Sequence, residues 1–311
     1  MKAIVLKAPG GVDQLEYQDI PTPTIKDGDV LVKVKAISIN PVDVKSRQGY
    51  GVYGAVKNEK PIILGWDIAG IVEETKSDKL KVGDEVFGMV NFPGHGKAYA
   101  EQVSAPANQL ALKPHNISFE EAAASTLVAL TAWQALVDNG KVTSGQKVLI
   151  HAASGGVGHI AVQIAKYLGA EVTGTSSVKN KDFVLGLGAD HHIDYHTYDW
   201  KNATEKYDFV LDTIGGDNID NSLEVAKEGG TIISIPSGLN ESVTEKAKAK
   251  GVNGFFIMVH SSGEEMQKIA ELLTDTTIKP YIDKTFSFEQ MREAHLQQET
   301  GRTVGKIVLS L

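Results

Sequence analysis

The strongest chemical signal in the sequence is a run of small residues between two apolar stretches. Residues 148–165 read VLIHAASGGVGHIAVQIA, which is a strand-like segment, a glycine-rich turn and a helix-like segment. Against the spacing G-x-G-x-x-G, Ala153 stands at the first position, and Gly155 and Gly158 stand at the other two. Small residues at such a turn let the backbone N–H groups of a helix N-terminus approach a pyrophosphate. The segment therefore predicts a dinucleotide-binding loop, and a tight turn without a ligand is the alternative.

The residues that follow the next strand indicate which dinucleotide the loop holds. A site for NAD carries an Asp or Glu about 20 residues beyond the loop. Here residues 174–181 read GTSSVKNK, with hydroxyls at Ser176 and Ser177, cations at Lys179 and Lys181, and no carboxylate. A 2′-phosphate requires hydrogen-bond donors and positive charge. We therefore expect NADPH rather than NADH, with Lys181 favoured over Lys179 as the phosphate ligand. The alternative is that both lysines are solvated surface charges.

These motifs lie within an alternation of strands and helices. Short apolar runs predict strands at Lys147–His151, Glu171–Gly174, His192–Asp194, Tyr207–Asp212, Thr231–Ile235 and Phe255–Val259. Helix-like segments lie between and after them, at 159–168, 179–187, 218–226 and 264–274. Such an alternation predicts an α/β fold, with a Rossmann-type doubly wound parallel sheet.

The first 120 residues are rich in short β-like segments. Val30–Ile39 (VLVKVKAISI) alternates apolar and polar residues, and further short apolar runs at 62–64, 68–72, 85–90 and 98–103 are separated by glycines and prolines. This pattern predicts a β-rich barrel-like or sandwich domain. The tail from Tyr281, with one helix (Phe288–Gln298) and a terminal strand (Gly305–Leu309), is expected to return to that domain.

The composition excludes several classes of protein. The chain has 311 residues with a formal net charge of −8 and no run of basic residues, so nucleic acid is not expected as its main partner. The absence of cysteine excludes disulfides, a cysteine nucleophile and cysteine-ligated zinc. The longest uncharged runs fall short of the ~20 residues of a membrane span, and the N-terminus lacks the apolar core of a signal peptide. A soluble, cytoplasmic protein of about two domains is expected.

Several motifs together resemble one known family, the medium-chain dehydrogenase/reductase superfamily. Within it they are most similar to the zinc-free quinone oxidoreductase (zeta-crystallin-like) branch. The similar segments are NPVDVKSRQG (Asn40–Gly49), LGWDIAGIV (Leu64–Val72), AAASTLVALTAW (Ala122–Trp133), AASGGVG (Ala152–Gly158) and GRTVGKIVL (Gly301–Leu309). The resemblance covers nearly the whole chain. It implies a GroES-like catalytic domain, residues 1–120 and 279–311, wrapped around a Rossmann NADPH-binding domain, residues 121–278.

The resemblance also implies which residues contact the cofactor. Lys181 and Tyr195 fall where the family contacts the 2′-phosphate end of NADPH, and Thr131 falls on the side of the pyrophosphate and nicotinamide. Arg302 reaches the cofactor phosphates if the tail returns to the cleft. Ligands bind beyond the carboxyl ends of parallel strands, which supports the turns that follow the later strands. The expected cofactor-binding set is Thr131, Ser154, Gly155, Gly156, Val157, Ser176, Ser177, Lys181, Tyr195, Gly215, Ser237, Gly238 and Arg302.

The sequence departs from the zinc-dependent members of the superfamily at the metal site. Those members hold a catalytic zinc ion with a Cys, a Gly-His-Glu segment and a second Cys. The matching places here are Asn40–Asp43, Gly65–Asp67 and the neighbourhood of Ala124–Ser125, which keep no Cys or His. Zinc takes a tetrahedral set of nitrogen, sulfur or carboxylate ligands, which Asp43 and Asp67 alone do not supply. No bound metal is expected.

Without a metal to stabilise an alkoxide, reduction of a quinone or of an α,β-unsaturated carbonyl is the expected reaction. NADPH delivers a hydride to the β-carbon, and negative charge builds on the carbonyl oxygen. Asn40, Tyr50 and Tyr53 lie in or just after the segment that replaces the zinc site, and are the candidate catalytic donors to that oxygen. The alternatives are loop packing for the two tyrosines and a turn role for Asn40.

Two rival functions fit the same phosphate loop. One is a reductase of aldehydes or enoyl thioesters, and the other is an NADPH-binding regulatory or structural protein. The sequence also predicts a homodimer, because the apolar segment Gly254–Val259 (GFFIMV) would form the last strand of the sheet. An uncovered apolar edge strand favours aggregation, and pairing with a twofold mate would cover it.

Overall fold

A computed structural model describes all 311 residues of the chain. Packing divides the chain into two compact units. The first unit consists of Met1–Leu130 with Val259–Leu311, and the second consists of Thr131–Met258. The sequence-based boundaries, by comparison, lie at residues 120/121 and 278/279. No helix is both long enough and apolar enough to cross a membrane.

Fifteen strands and ten α-helices follow one another along the chain. The strands are β1 (Lys2–Leu6), β2 (Leu15–Asp19), β3 (Asp29–Ile39), β4 (Asp67–Thr75), β5 (Glu85–Met89), β6 (Gln102–Pro106), β7 (Ala111–Leu112), β8 (Lys147–Ile150), β9 (Glu171–Ser176), β10 (His191–Asp194), β11 (Tyr207–Asp212), β12 (Ala226–Ser234), β13 (Asn253–Phe256), β14 (Ile282–Ser287) and β15 (Lys306–Ser310). The helices are α1 (Pro41–Arg47), α2 (Tyr53–Val56), α3 (Phe119–Ala124), α4 (Thr126–Trp133), α5 (Gly156–Tyr167), α6 (Lys181–Gly186), α7 (Asn218–Val225), α8 (Val243–Ala249), α9 (Gly263–Thr274) and α10 (Met291–Glu299).

The first unit is built around the long strand β3. A seven-stranded sheet has the order β14-β15-β3-β4-β5-β7, and β6 also pairs with β3. Strand β15 runs antiparallel to β3, with Ile307 opposite Ile39, so the C-terminal strand belongs to this sheet. Strands β1 and β2 form a separate antiparallel pair. Apolar side chains from β1, β3, β4 and the C-terminal tail form one core, in which Val32, Ile68 and Ile307 are fully or almost fully buried.

The second unit is a parallel sheet with helices. Its six strands have the order β10-β9-β8-β11-β12-β13, and all neighbouring strands are parallel. Counted from β8, this is the strand order 3-2-1-4-5-6 that characterises dinucleotide-binding Rossmann folds. Helix α5 follows β8 and helix α6 follows β9, as is usual for crossover connections between parallel strands. The predicted α/β class with a doubly wound parallel sheet is confirmed.

One predicted strand of the first unit, 62–64, was wrong, and a second, 98–103, is displaced toward the C-terminus. Residues 62–64 contribute only an isolated bridge between Ile63 and Val5, and residues 98–101 only one between Ala100 and Ala3. These segments make single backbone bonds, such as Tyr99 N to Leu64 O at 3.0 Å, but no continuous ladder. The regular strand near the second segment begins at Gln102 instead.

Several predicted elements have different bounds in the structure. The predicted helix 179–187 divides into a 3₁₀ turn, Val178–Asn180, and α6, which places Lys181 at the first helical position. The predicted strand Phe255–Val259 is displaced to Asn253–Phe256. The predicted helix 264–274 is present as α9 and packs in the first unit: a Cβ on Gly263 would lie 2.4 Å from the carbonyl oxygen of Asn108.

Candidate functional site

The glycine-rich segment joins β8 to α5, as the sequence predicts. Gly155 caps the N-terminus of α5, and Ala152 adopts a left-handed backbone conformation with φ of 46°. A Cβ on Gly158 would lie 2.2 Å from the carbonyl oxygen of Ala152 and 2.7 Å from Cα of Ala153. No side chain fits at that distance, so Gly158 allows the first turn of α5 to pack against the end of β8. This is the role that the last glycine has in a dinucleotide-binding turn.

Strand β9 holds the loop from the neighbouring position in the sheet. The N–H of Ala153 donates to the carbonyl oxygen of Thr175 at 2.8 Å, and the N–H of Ala152 lies 3.2 Å from Oγ1 of Thr175. His151 is fully buried, with Nδ1 3.4 Å from Thr175 Oγ1 and Nε2 3.1 Å from Ser222 Oγ. Burial lowers the pKa of His151 to about 4, so its imidazole is neutral at pH 7. His151 and Thr175 therefore position the loop without adding charge to it.

The hydroxyls and the lysine after β9 lie in one polar neighbourhood. The hydroxyl of Ser176 donates to the carbonyl oxygen of Ser177 at 3.0 Å, so it accepts a hydrogen bond from Nε2 of His192 at 2.8 Å. Burial, together with the nearby charge of Lys181, lowers the pKa of His192. Lys181 itself is exposed at the start of α6. This neighbourhood offers hydroxyl and cationic donors, and His192 adds an imidazole that the sequence analysis did not include.

The other residues expected near the 2′-phosphate and the pyrophosphate have different degrees of exposure. Ser154 is buried, and its Oγ accepts a hydrogen bond from Nδ2 of Asn180 at 3.1 Å, which ties the loop to the turn before α6. Tyr195 follows β10 and is 47% exposed. Val157 and Gly156, in the first turn of α5, are half-buried, while Thr131 is buried. Arg302 is exposed in the first unit, where its backbone N–H donates to Thr300 Oγ1 at 3.2 Å.

A buried carboxylate organises the turn after β11. Asp212 is fully buried, and it accepts hydrogen bonds from the N–H groups of Ile214 and Gly215, each at 3.1 Å. It also accepts from Nδ2 of Asn218 at 2.9 Å and from Oγ of Ser234 at 2.8 Å. Four donors compensate the desolvation of this charge. The turn that contains Gly215 is therefore fixed by β11 and β12.

The second expected turn lies directly against the first. The N–H of Gly216 donates to the carbonyl oxygen of Leu239 at 2.6 Å, and Leu239 closes the turn that contains Ser237 and Gly238. Gly215 has a φ of 72°, and a Cβ there would lie 2.7 Å from the carbonyl oxygen of Leu239. The structure thus brings Gly215, Ser237 and Gly238 together beyond the carboxyl ends of β11 and β12. This is the edge of the sheet at which Rossmann folds bind their ligands.

A separate group of polar residues is buried in the first unit, and we call Ser38, Asn40, Asp67 and Lys306 the Asp67 cluster. The carboxylate of Asp67 accepts hydrogen bonds from Ser38 Oγ at 2.6 Å, Asn40 Nδ2 at 2.7 Å and the N–H of Leu127 at 3.1 Å. Lys306 Nζ donates to Asn40 Oδ1 and lies 3.9 Å from the carboxylate of Asp67. All four residues are at most 3% exposed.

Further titratable groups adjoin the cluster. Asp43 is fully buried and accepts a hydrogen bond from the N–H of Asn40 at 2.7 Å. Burial and the negative charge of Asp67 raise the pKa of Asp43 to about 7. The hydroxyl of Tyr99 lies 3.0 Å from Nε2 of His295, and burial lowers the pKa of His295 to about 3. A neutral imidazole therefore stands near this group of buried carboxyls at pH 7.

The three candidate donors occupy different environments. Asn40 is 1% exposed, and its contacts use the amide oxygen and one of the two N–H bonds of Nδ2, so any donor role rests on the second N–H. Tyr53 begins α2 and packs against the core of the first unit while remaining partly exposed. Tyr50 is 70% exposed.

The chain matches known proteins over its whole length. Residues 26–115 match the family described as alcohol dehydrogenase GroES-like domain, and residues 187–309 match the family described as zinc-binding dehydrogenase. The chain is 34% identical to 2-methylene-furan-3-one reductase of Solanum lycopersicum, over 99% of this chain and 79% of that protein. The chain belongs to the medium-chain dehydrogenase/reductase superfamily, in its quinone oxidoreductase branch.

Two further members of the superfamily are similar to this chain. The NADPH-dependent alkenal/one oxidoreductase of Arabidopsis thaliana, a chloroplastic protein, is 34% identical over 99% of this chain and 79% of that protein. The structure of the quinone oxidoreductase from Coxiella burnetii matches with a TM-score of 0.95 and 37% identity, over 100% of this chain and 99% of that one.

The description "zinc-binding" does not fit the side chains of this member of the superfamily. Asn40, Asp43 and Asp67 stand where the resemblance places the metal ligands, and the amine of Lys306 lies among them. No group of three or more His, Cys, Asp or Glu side chains is arranged to hold a metal ion. A tetrahedral zinc site needs four ligands from these residue types or three with a water molecule, and a buried ammonium at the same place opposes a second cation.

The structure adds to the candidate site several residues that the sequence analysis missed. His151 and Thr175 support the loop, His192 contacts Ser176, and Lys306 joins the Asp67 cluster. One of them carries a local signal: Lys306 opens the apolar strand β15, where a charged side chain is unexpected unless it has a buried partner. The others depend on which strand lies beside which.

Proposed function

We propose that the chain is an NADPH-dependent oxidoreductase that reduces quinones or α,β-unsaturated carbonyl compounds by hydride transfer. The observation that carries the proposal is the intact phosphate loop after β8, followed at the end of β9 by Ser176, Ser177 and Lys181 in place of a carboxylate. The names of the relatives support the substrate class, since they describe an alkenal/one oxidoreductase and a quinone oxidoreductase.

NADPH bound at this loop supplies a hydride for the β-carbon of the substrate. The N–H groups at the start of α5 hold the pyrophosphate, and Gly158 keeps that helix close to the loop. Lys181 and Ser177, with Tyr195, hold the 2′-phosphate end. The remaining task of the protein is to orient the substrate and to donate hydrogen bonds to the carbonyl oxygen as it becomes negative. We propose that Asn40 and Tyr53 are these donors and that the reaction uses no bound metal.

Turnover of a small substrate panel tests this function. We expect NADPH to be oxidised with a quinone, an enone or an enal, and only slowly with a simple aldehyde, in the presence of a metal chelator. NADH should be a poor substitute. A requirement for added zinc, or a simple aldehyde as the best substrate, would contradict the proposal. Tight NADPH binding without turnover of any substrate would instead favour the regulatory or structural alternative. Turnover of an enoyl thioester, with none of the other compounds, would favour the alternative of an enoyl-thioester reductase.

The two tyrosines allow a matched test of the donor assignment. We expect Tyr53→Phe to lower kcat about 10- to 100-fold, because a hydrogen bond to a developing oxyanion is lost. The affinity for NADPH should not change. Tyr50→Phe removes the same hydroxyl from a side chain that is 70% exposed, and we expect little effect on kcat. The assignment fails if Tyr53→Phe retains the kcat of the wild-type protein.

We also propose a homodimer formed through strand β13. This strand is the last of the parallel sheet, and Phe256 at its end and Met258 just beyond it are 54% and 48% exposed. Pairing with a second copy would satisfy the free strand edge and cover these side chains. Light scattering at micromolar concentration should give the mass of a dimer, and Phe256→Asp should give that of a monomer. A wild-type protein that is monomeric under these conditions would rule out this proposal.

The cytoplasmic location stays a prediction. The relative from Arabidopsis thaliana is described as chloroplastic, so members of this superfamily also work in organelles.

A further inference from the structure

The side chain of Lys306 ends in an environment of oxygen atoms. Its Nζ donates to the carbonyl oxygen of Ile39 at 2.9 Å and to Oδ1 of Asn40, and it lies 3.9 Å from Oδ2 of Asp67. Lys306 is 3% exposed and Asp67 is 1% exposed. Backbone carbonyl, amide and carboxylate oxygens are the ligands that small hard cations take in proteins. The place is therefore a cation-binding pocket, and its occupant is a side chain of the chain itself.

The charge of Asp67 explains why this pocket needs a cation. A buried carboxylate is costly unless it is hydrogen-bonded and its charge is compensated. The donors from Ser38, Asn40 and Leu127 satisfy its lone pairs, but they carry no net charge. Asp43, also buried nearby, adds negative potential to the extent that it is ionised. Lys306, with its Nζ 3.9 Å from Oδ2 of Asp67, is the cation that faces this carboxylate.

Strand register brings these residues to one place. Ser38 pairs with Asp67 across β3 and β4, and Ile39 pairs with Ile307 across β3 and β15. Lys306 precedes Ile307 and therefore lies beside Asn40, at the same end of β3. Three neighbouring strands thus fix the amine, the amide and the carboxylate relative to one another.

The contacts also determine how the Asn40 amide is oriented. Its oxygen accepts from the amine of Lys306, and its Nδ2 donates to the carboxylate of Asp67. A flipped amide would place N–H groups against the ammonium of Lys306 and an oxygen against the carboxylate of Asp67. These two partners therefore allow only one orientation of the amide. The second N–H of Nδ2 is the group that the proposed reaction uses.

We propose that Lys306 is a built-in cation, which fills the pocket that a metal ion would require, compensates Asp67 and fixes the Asn40 amide. Lys306 is then a positioning residue. The effect of Lys306 on turnover rests on the proposed function, whereas the presence of its amine in the pocket does not depend on that function. Removal of its side chain should leave an anionic, oxygen-lined pocket that accepts a primary alkylammonium ion.

Chemical rescue of Lys306→Ala tests the proposal. We expect this variant to unfold roughly 5 to 15 °C below the wild-type protein, because Asp67 loses its counter-charge. Ethylammonium chloride should raise the unfolding temperature and restore part of a roughly tenfold lower kcat. Sodium chloride at the same concentration should do neither. In Lys306→Met the side chain fills the pocket, so the losses should remain but ethylammonium should not reverse them.

Lys113 provides a matched control in the same unit. It is also a buried lysine, and its Nζ donates to the carbonyl oxygens of Pro114 at 2.9 Å and Ile117 at 2.7 Å and lies 3.1 Å from Glu85. We expect Lys113→Met to lower the unfolding temperature without changing the kcat of the folded enzyme, and ethylammonium to have no effect. The proposal is overturned if the two methionine variants behave alike in kcat, or if a folded Lys306→Ala does not respond to ethylammonium.

A double variant keeps the test decisive if Lys306→Ala does not fold. Asp67→Asn removes the negative charge, and a double-mutant cycle then compares the effect of Lys306→Met in the presence and absence of that charge. We expect Lys306→Met to lower the unfolding temperature less in the Asp67→Asn background than in the wild-type protein. The new amide N–H at position 67 faces donors in both Asp67→Asn proteins, so its cost cancels. An equal or larger effect of Lys306→Met in the Asp67→Asn background would mean that the two charges are not coupled, which overturns the proposal. Because these unfolding measurements need no substrate, they decide about Lys306 even if the enzyme turns over none of the proposed substrates.

Discussion

The Lys181→Ala variant is expected to bind NADPH about 10- to 100-fold more weakly than the wild-type protein and to bind NADH equally well. Lys181 is exposed at the start of α6, and its charge acts on His192, which contacts Ser176 at the end of β9. A hydrogen bond between an ammonium and a phosphate contributes about 1.5–3 kcal/mol, which corresponds to this loss. NADH lacks the 2′-phosphate, so its binding does not use the contact. Titration of each nucleotide against the protein, followed by nicotinamide fluorescence, measures both affinities.

Lys179→Ala is the matched control for this prediction. Lys179 is also exposed, lies on the 3₁₀ turn just before α6, and its removal changes the net charge by the same amount. We expect it to change NADPH affinity by no more than about twofold to threefold, because an exposed charge without direct contact is screened. A larger effect at Lys179 than at Lys181 would transfer the phosphate contact to Lys179. Equal losses for NADPH and NADH in Lys181→Ala would disprove a 2′-phosphate role.

The parallel sheet was predictable because most of its strands are short apolar runs that alternate with helix-like segments. Tyr207–Asp212 has the same bounds in the sequence analysis and in the structure. The strand predicted at 62–64 is absent, and the one predicted at 98–103 is regular only from Gln102 onward, for a different reason. An apolar run becomes a strand only if a partner pairs with it along its length, and Ile63 and Ala100 find a partner at one position each. The unit to which α9 belongs also depends on distant residues, since Gly263 packs against Asn108.

The candidate site likewise has one part that is local in sequence and one part that is not. The phosphate loop is local in sequence, so glycine spacing between a strand and a helix was enough to find it. The Asp67 cluster is not local, because it joins Ser38, Asp67 and Lys306 through the register of β4, β3 and β15. Sequence spacing cannot show that Lys306 lies beside Asn40. The type of residue did contain a signal, because a lysine at the start of an apolar strand requires a buried partner.

Replacing Gly158 by alanine is expected to abolish measurable NADPH binding and to lower the free energy of unfolding by about 3 kcal/mol or more. The new Cβ would lie 2.2 Å from the carbonyl oxygen of Ala152 and 2.7 Å from Cα of Ala153. Both are backbone atoms, so rotation of a side chain cannot relieve the overlap, and α5 must move away from β8. That movement would displace the N–H groups that we propose as ligands of the pyrophosphate. Urea denaturation and nucleotide titration of the purified variant measure the two effects.

Two other glycines make this prediction specific to position 158. Gly186 is the last residue of α6, and a Cβ there would meet no atom within 4 Å, so Gly186→Ala should keep NADPH binding and raise stability by about 0.5–1 kcal/mol. At Gly155 the nearest protein atom would lie 3.2 Å away, so Gly155→Ala should lose less stability than Gly158→Ala. The order of the three variants in stability follows from backbone overlap alone. If Gly158→Ala bound NADPH as well as Gly186→Ala does, the close contact between α5 and the end of β8 would not be what shapes the phosphate site.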